Sequence, residues 1–401
     1  MASQRIVVVG GGFAGLWSAA GAARKLDELG IGSDALNVTL VNRDAYHSIR
    51  VRNYEPDLTP TRVPLREVLD PIGVRLVEGE VRGIDFLRRS VDVVGAKGVE
   101  TLTFDRLVLA LGTRLVRPEM TGFRECGFDV DTFGGARRLR DHLGRLAAET
   151  TSPDGGEFTK RVLIVGAGLT GIETAAELAG AWRVTLADHG DHIGSDMGPY
   201  SQPVIAEALA ALGVETRVGV SVTALSAEGA TLATGEVIPT ATVVWCAGMR
   251  ADPLTAVFPV ERDRWGRLPV DEFMRVKGME GIFAAGDVAA AMVDPHHASV
   301  MSCQHGRPMG RFAGHNVVCD LLGLPMLPLE IDWYVTVLDL GAWGAVYTEG
   351  WDRRVVAVGA AAKETKRVIN CERIYPPRGG DRRAILDAAA PVVQRPPAYR
   401  G

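Results

Sequence analysis

The sequence predicts an α/β protein in which one parallel-sheet unit occurs twice and a small α+β domain follows. Three observations carry that expectation. The β-branched run Arg5–Val9 passes through Gly10-Gly11-Gly12-Phe13-Ala14-Gly15 into an alanine-rich helix, and 156 residues later Arg161–Val165 passes through Gly166-Ala167-Gly168-Leu169-Thr170-Gly171 into another. Two further apolar runs end in glycine turns at Gly112 and Gly248, and each closes one unit. Beyond Pro325 the pattern changes to alternation over 332–339 and 351–358, which predicts a small antiparallel sheet, then a short helix over 381–390.

The glycine spacing has a physical reading. Between a strand and a helix, the first glycine permits a sharp turn, the second lets backbone N–H groups approach a pyrophosphate, and the third lets helix and strand pack closely. The phosphates then lie at the positive end of the helix. Each copy therefore reads as a Rossmann dinucleotide-binding fingerprint, and the duplication makes coincidence a poor explanation. A residue that holds a ribose hydroxyl should follow each copy. Asp188 comes 22 residues after Gly166; its carboxylate would accept from a free ribose hydroxyl and repel a 2′-phosphate, which favours NADH over NADPH. After the first copy the position is Asn42, followed by Arg43; an amide still bonds a ribose. The run Gly281–Ala285 leads into Gly286-Asp287, where the aspartate is placed either to cap a helix or to bond a flavin's ribityl chain.

Glycine makes up 47 of 401 residues with no collagen-like period, which fits many tight turns or backbone pressed against a ligand. The net charge of −5 argues against a dedicated nucleic-acid binder. The five cysteines include no C-x-x-C pair, and His189, His192, His296 and His297 lack the spacing of a ligand set, so no metal is expected. The chain opens without a signal-peptide pattern, and its longest apolar runs reach about eight residues, against the ~20 that span a bilayer. A cytoplasmic protein is expected, at most peripheral at the inner face of the membrane. A polar linker is expected over 149–156.

Together these motifs resemble the two-dinucleotide-binding-domain flavoproteins of the pyridine nucleotide-disulfide oxidoreductase superfamily. Within it the chain looks most like type II NADH dehydrogenases and apoptosis-inducing-factor-like oxidoreductases, over residues 4–325. The resemblance implies two Rossmann-like domains: a discontinuous FAD-binding domain (1–115 and 255–325) and an inserted NAD(P)H-binding domain (116–254), with a C-terminal domain (326–401). It assigns FAD to Gly10, Gly12, Phe13, Ala14, Gly15, Asn42, Arg43, Gly112, Gly286 and Asp287. It assigns NADH to Gly166, Gly168, Leu169, Thr170, Gly171, Asp188 and Gly248. Hydride would pass from NADH to FAD, and electrons then to a quinone-like acceptor.

The same resemblance places Glu173, in Gly171-Ile172-Glu173, where nicotinamide, flavin and acceptor meet; on the residues alone it reads equally as a first-turn carboxylate complementing the helix dipole. It also places the stretch from Tyr46-His47 to Tyr54-Glu55 near the flavin, here interrupted by Arg50 and Arg52, with His47 either packed or functional. Two features depart from the pattern. A paired-glutamine quinone motif keeps only Gln304, with Val300 at the other position, and the apolar C-terminal anchor is replaced by nine basic and four acidic residues from Lys363 onward. The acceptor is thus left open between a quinone, a specialised small molecule and a redox-protein partner. A homodimer is compatible with this reading, and an NADH-responsive flavin-binding sensor is the alternative of another class.

Overall fold

A computed structural model describes residues 3–149 and 156–397. The first unit holds β1 (Gln4–Val9), α1 (Phe13–Leu29), β2 (Leu36–Asn42), β3 (Arg75–Glu78) and β4 (Arg106–Leu109). The chain leaves it through β5 (Thr113–Leu115) and enters a second unit of β6 (Gly127–Phe128), β7 (Arg161–Val165), α2 (Leu169–Leu178), β8 (Arg183–Ala187), β9 (Glu215–Arg217) and β10 (Thr242–Trp245). It returns through β11 (Met249–Ala251) to β12 (Ile282–Ala284) and the long helix α3 (Cys303–Leu322).

Both sheets are five-stranded and parallel, with matching orders β12–β4–β1–β2–β3 and β6–β10–β7–β8–β9. Their Val, Ile and Leu runs are buried on both faces, as a covered parallel sheet requires. The two units share a further feature that the sequence reading did not foresee. In each, the link from the third strand of the fingerprint unit to the fourth is a three-stranded antiparallel meander, 80–103 in one and 222–239 in the other. The crossings β5 and β11 pair antiparallel with each other, Thr113 opposite Ala251 and Leu115 opposite Met249.

The tail forms the expected antiparallel sheet, β13 (Val335–Asp339), β14 (Ala345–Glu349) and β15 (Arg354–Val358). The apolar run that follows divides at Gly359, whose φ of +71° ends the strand and opens α4 (Gly359–Val368), a helix the alternation had hidden. The expected terminal helix is shorter than 381–390. It is α5 (Arg382–Ala388), because the Asp381 carboxylate accepts from Ala384 N at 3.1 Å and so stands outside as its cap. The expected linker over 149–156 lies, apart from its ends, outside the described residues.

Backbone contact ties α3 to α1. A Cβ at Gly310 would overlap the Ala14 carbonyl oxygen, and one at Gly314 would overlap that of Ser18. Replacing Gly310 by Val should therefore force the helices apart, at a cost of about 3 kcal/mol, within the upper range for overpacking. Chemical denaturation of the variant measures this; an unchanged midpoint would show that the helices have slack.

Candidate active site

Each glycine fingerprint forms the turn its spacing requires. Gly10 has φ +107°, and a Cβ there would overlap Ala110 O; a Cβ at Gly15 would overlap Gly10 O, so α1 begins in direct contact with the turn. Gly12 is the residue before α1, with no side chain capping the helix and nothing within 4 Å of an added Cβ. The first N–H groups of α1 therefore face open space, the arrangement that suits a phosphate. The second turn repeats this layout: Gly166 has φ +104°, a Cβ at Gly171 would overlap Gly166 O, and Gly168 precedes an uncapped α2. Phe13, Ala14, Leu169 and Thr170 are the opening residues of the two helices.

Asn42 and Asp188 occupy equivalent places and do the same structural work. Asn42 Oδ1 accepts from Gly11 N at 2.8 Å, and Asp188 Oδ2 accepts from Ala167 N at 2.6 Å. The Asn42 amide also donates to the carbonyls of Asp44 and Tyr46, which engages it fully within its own turn. Asp188 Oδ1 accepts from Gly190 N at 2.7 Å, and as a carboxylate it retains lone pairs for a further donor. Arg43 is exposed just beyond β2. His47 is fully buried, and its Nδ1–H donates to Gly11 O at 2.9 Å; burial lowers its pKa to about 4, so it is a neutral ring that braces the first turn.

Gly286 lies against the first turn of α1, where an added Cβ would come within 2.7 Å of Ala14 Cβ. This brings Asp287 beside the first turn, and it is no helix cap: its carboxylate accepts from Thr113 Oγ1 at 3.1 Å. Burial raises its pKa, partly offset by Arg50. Arg50 in turn donates to Thr113 Oγ1 at 2.9 Å and pairs with Asp131, so the arginine that looked like an intrusion near the flavin segment is neutralised at the crossing. Gly112 and Gly248 both have positive φ and bond reciprocally across it, Asp252 N to Gly112 O and Val116 N to Gly248 O.

Glu173 is buried in α2 and joins a group that sequence reading missed. Its Oε1 accepts from Lys366 Nζ of α4 at 2.6 Å and from Asp339 N of β13 at 3.1 Å. Burial raises the Glu173 pKa, with Lys366 pulling the other way. Burial also acts to lower Lys366, but the charge of Glu173 prevails and raises it. Asp339 pairs with Lys363 and accepts from Tyr54 Oη at 3.2 Å. Residues from the first unit (Tyr54), the second (Glu173) and the tail (Asp339, Lys363, Lys366) thus meet in one place. The dipole reading of Glu173 gives way to a buried ion pair between segments. Only Gly-x-Glu was visible in the sequence; its partners lie more than 160 residues away, beyond any local pattern.

Gln304 lies in the first turn of α3, capped by Ser302, while Val300 N donates to His305 Nδ1 at 2.9 Å. The Lys366 charge acts on Cys303 beside it, which connects this turn with the buried pair. Gln304 faces a cavity between α3 and the tail. Most of the tail's positive charge is engaged internally: Arg367 with Glu364 and Glu372, Arg382 with Asp27, Arg383 with Asp387, Arg395 with Asp332.

Two linked parallel sheets with twin uncapped glycine turns define a two-nucleotide oxidoreductase. The chain belongs to the pyridine nucleotide-disulphide oxidoreductase family, whose profile matches residues 4–310. It is 55% identical to an NADH dehydrogenase-like protein of Mycobacterium tuberculosis over 98% of this chain and all of that one. It is 28% identical to the demethylphylloquinone reductase of Synechocystis over 86% of each. In fold it matches NDH2 of Plasmodium falciparum, solved in complex with NADH, with a TM-score of 0.76 at 12% identity, covering 96% of this chain and 97% of that one. No helix among the described residues is long and apolar enough to cross a membrane.

His47 and His305 both have pKa values lowered to about 4 by burial, against 6.5 when unfolded. The unfolded chain therefore binds more protons between pH 6.5 and 4, so stability is full above that window and falls as pH drops through it. From pH 7 to pH 5 the loss should be roughly 2 kcal/mol per histidine. Urea denaturation at the two pH values checks this, and His47→Gln should reduce the dependence by about half. The Gly12→Ala variant should fold with an unaltered melting temperature yet retain less flavin, because its methyl group fills the space in front of α1. Flavin content after purification is the readout.

Proposed function

We propose that this protein is an FAD-dependent NADH dehydrogenase that delivers electrons to a quinone-like acceptor. One observation carries the reading: two equivalent glycine turns in one chain, one flanked by Asp287 and Thr113 and the other by Asp188, with a buried Glu173–Lys366 pair joining the second unit to the tail. The relatives named above support the direction, as NADH dehydrogenase-like and quinone-reducing proteins. The division into an FAD domain of 1–115 and 255–325, an NADH domain of 116–254 and a C-terminal domain belongs to this proposal. It is supported by β12, which completes the first sheet from the far side of the insertion.

The open space before Gly12 and the free N–H groups of α1 fit the FAD pyrophosphate. Asp287, oriented by Thr113, accepts from a hydroxyl of the ribityl chain. When bound, FAD supplies hydride acceptance from NADH and electron delivery to the second substrate. At the second turn the N–H groups of α2 hold the NADH pyrophosphate and Asp188 accepts from its ribose. Glu173 keeps Lys366 protonated, and the Lys366 charge reaches Cys303 at the start of α3, beside Gln304. The reading needs no membrane-spanning segment, and contact with a membrane would be peripheral.

Rapid-mixing and steady-state measurements test this together. NADH should reduce the bound flavin faster than NADPH, and a water-soluble short-chain quinone should accelerate NADH oxidation well beyond the reaction with oxygen. Glu173→Gln should lower turnover with quinone while leaving flavin content intact. It should also destabilise the fold by about 3 kcal/mol, since it leaves Lys366 buried without its counter-charge. If no quinone accelerates turnover, the acceptor is a specialised molecule or redox protein.

A further inference from the structure

The cavity between α3 and the tail has polarity of one sign. Gln304, Arg307 and Arg311 of α3 line it together with Trp333, Ile369 and Arg373 of the tail, with no aspartate or glutamate among the lining residues. Its unpartnered buried polar atoms are all donors: Nε and Nη2 of Arg311, Nε of Arg307, Nε2 of Gln304 and Nε1 of Trp333. Arg311 is the extreme case, 1% exposed, with one long bond of 3.4 Å to Val392 O. Its guanidinium lies 4.6 Å from the Trp17 ring centre and that of Arg307 lies 5.8 Å from the same ring, so two cations converge on one point. Burial, and secondarily Arg307, lower the Arg311 pKa to about 9. A buried cation without a counter-charge is an unfavourable arrangement that an arriving carboxylate would relieve, and a guanidinium presents a fork matched to that group.

We propose that this cavity binds a small organic acid, with its carboxylate on Arg311 and Arg307 and its apolar body against Trp333 and Ile369, and that the electron acceptor of this protein is such an acid. The acceptor clause rests on the function proposed above, through Gln304, which lines the same cavity. The binding clause does not. Arg307, Arg311 and Arg373 stand along a cavity whose remaining lining is largely apolar, Pro308, Trp333, Val335, Ile369 and Ile374 among it, which distinguishes an acid with a hydrophobic body from a free inorganic anion.

Calorimetry on the oxidised holoenzyme, without NADH, tests the binding clause with 2-naphthoate and its neutral counterpart 2-naphthamide. The acid should bind at least about tenfold more tightly, and Arg311→Met should abolish that difference. Met replaces a buried unpaired charge with an apolar chain of similar length, so the variant should melt no lower than the parent; Arg307→Gln gives a second, independent variant. Equal binding of acid and amide, or an acid preference that survives Arg311→Met, overturns the proposal. So does inorganic phosphate that displaces naphthoate at equal concentration. The acceptor clause is tested by kcat/KM for 2-carboxy-1,4-naphthoquinone relative to 2-methyl-1,4-naphthoquinone, a ratio that should fall about tenfold in Arg311→Met. A ratio unchanged by the substitution overturns that clause. Naphthoate binding without turnover of any quinone would instead count against the dehydrogenase reading, and would leave the acid site standing.

Discussion

The structure depends first on the contact between Gly15 and the carbonyl oxygen of Gly10, a distance that no residue with a Cβ tolerates. It seats α1 directly on the turn that follows β1 and leaves the first N–H groups of the helix pointing outward. The contact is passed on. Because α1 sits so close, α3 can press Gly310 and Gly314 onto its backbone, and Gly286 can lie against Ala14. Those contacts bring Asp287 beside the first turn and fix the direction in which α3 presents Gln304 and its arginines. A series of backbone approaches, each permitted by the lack of a side chain, therefore positions polar groups that are distant in sequence.

Electrostatics completes what packing begins. Glu173, Lys366, Asp339, Lys363 and Tyr54 come from three parts of the chain and satisfy one another, all of them largely buried except Lys363, which reaches solvent. A buried pair of this kind contributes little net stability over an apolar alternative, but it makes wrong arrangements costly. Its value here is orientational: the tail sheet has one register against α2 in which every charge is matched.

Much of this was legible in the sequence, for stated reasons. The fingerprints at Gly10 and Gly166 are local, so strand, turn and helix could be read directly, and the equivalence of Asn42 and Asp188 followed from counting. What escaped was non-local or locally ambiguous. The spacing of Gly310 and Gly314 carries meaning only once Ala14 and Ser18 are known to face them. Lys366 looked like one of many basic tail residues, until α4 placed it on Glu173. The charge count of the tail was correct, but most of those charges turned out to have partners.

The two crossings between the units have a mechanical consequence. Had Thr113–Leu115 and Met249–Ala251 run separately, the sheets could swivel about either connection. Because they are hydrogen-bonded into a single two-stranded ribbon, with Arg50 pinned across one end, the second unit is held to the first by that ribbon on one side and by the tail, through Tyr54, Asp339 and Glu173, on the other. Any change in the cleft between the two glycine turns must then twist the ribbon and carry the tail with it, so the two nucleotide-facing helices cannot shift without disturbing the buried charges around Glu173.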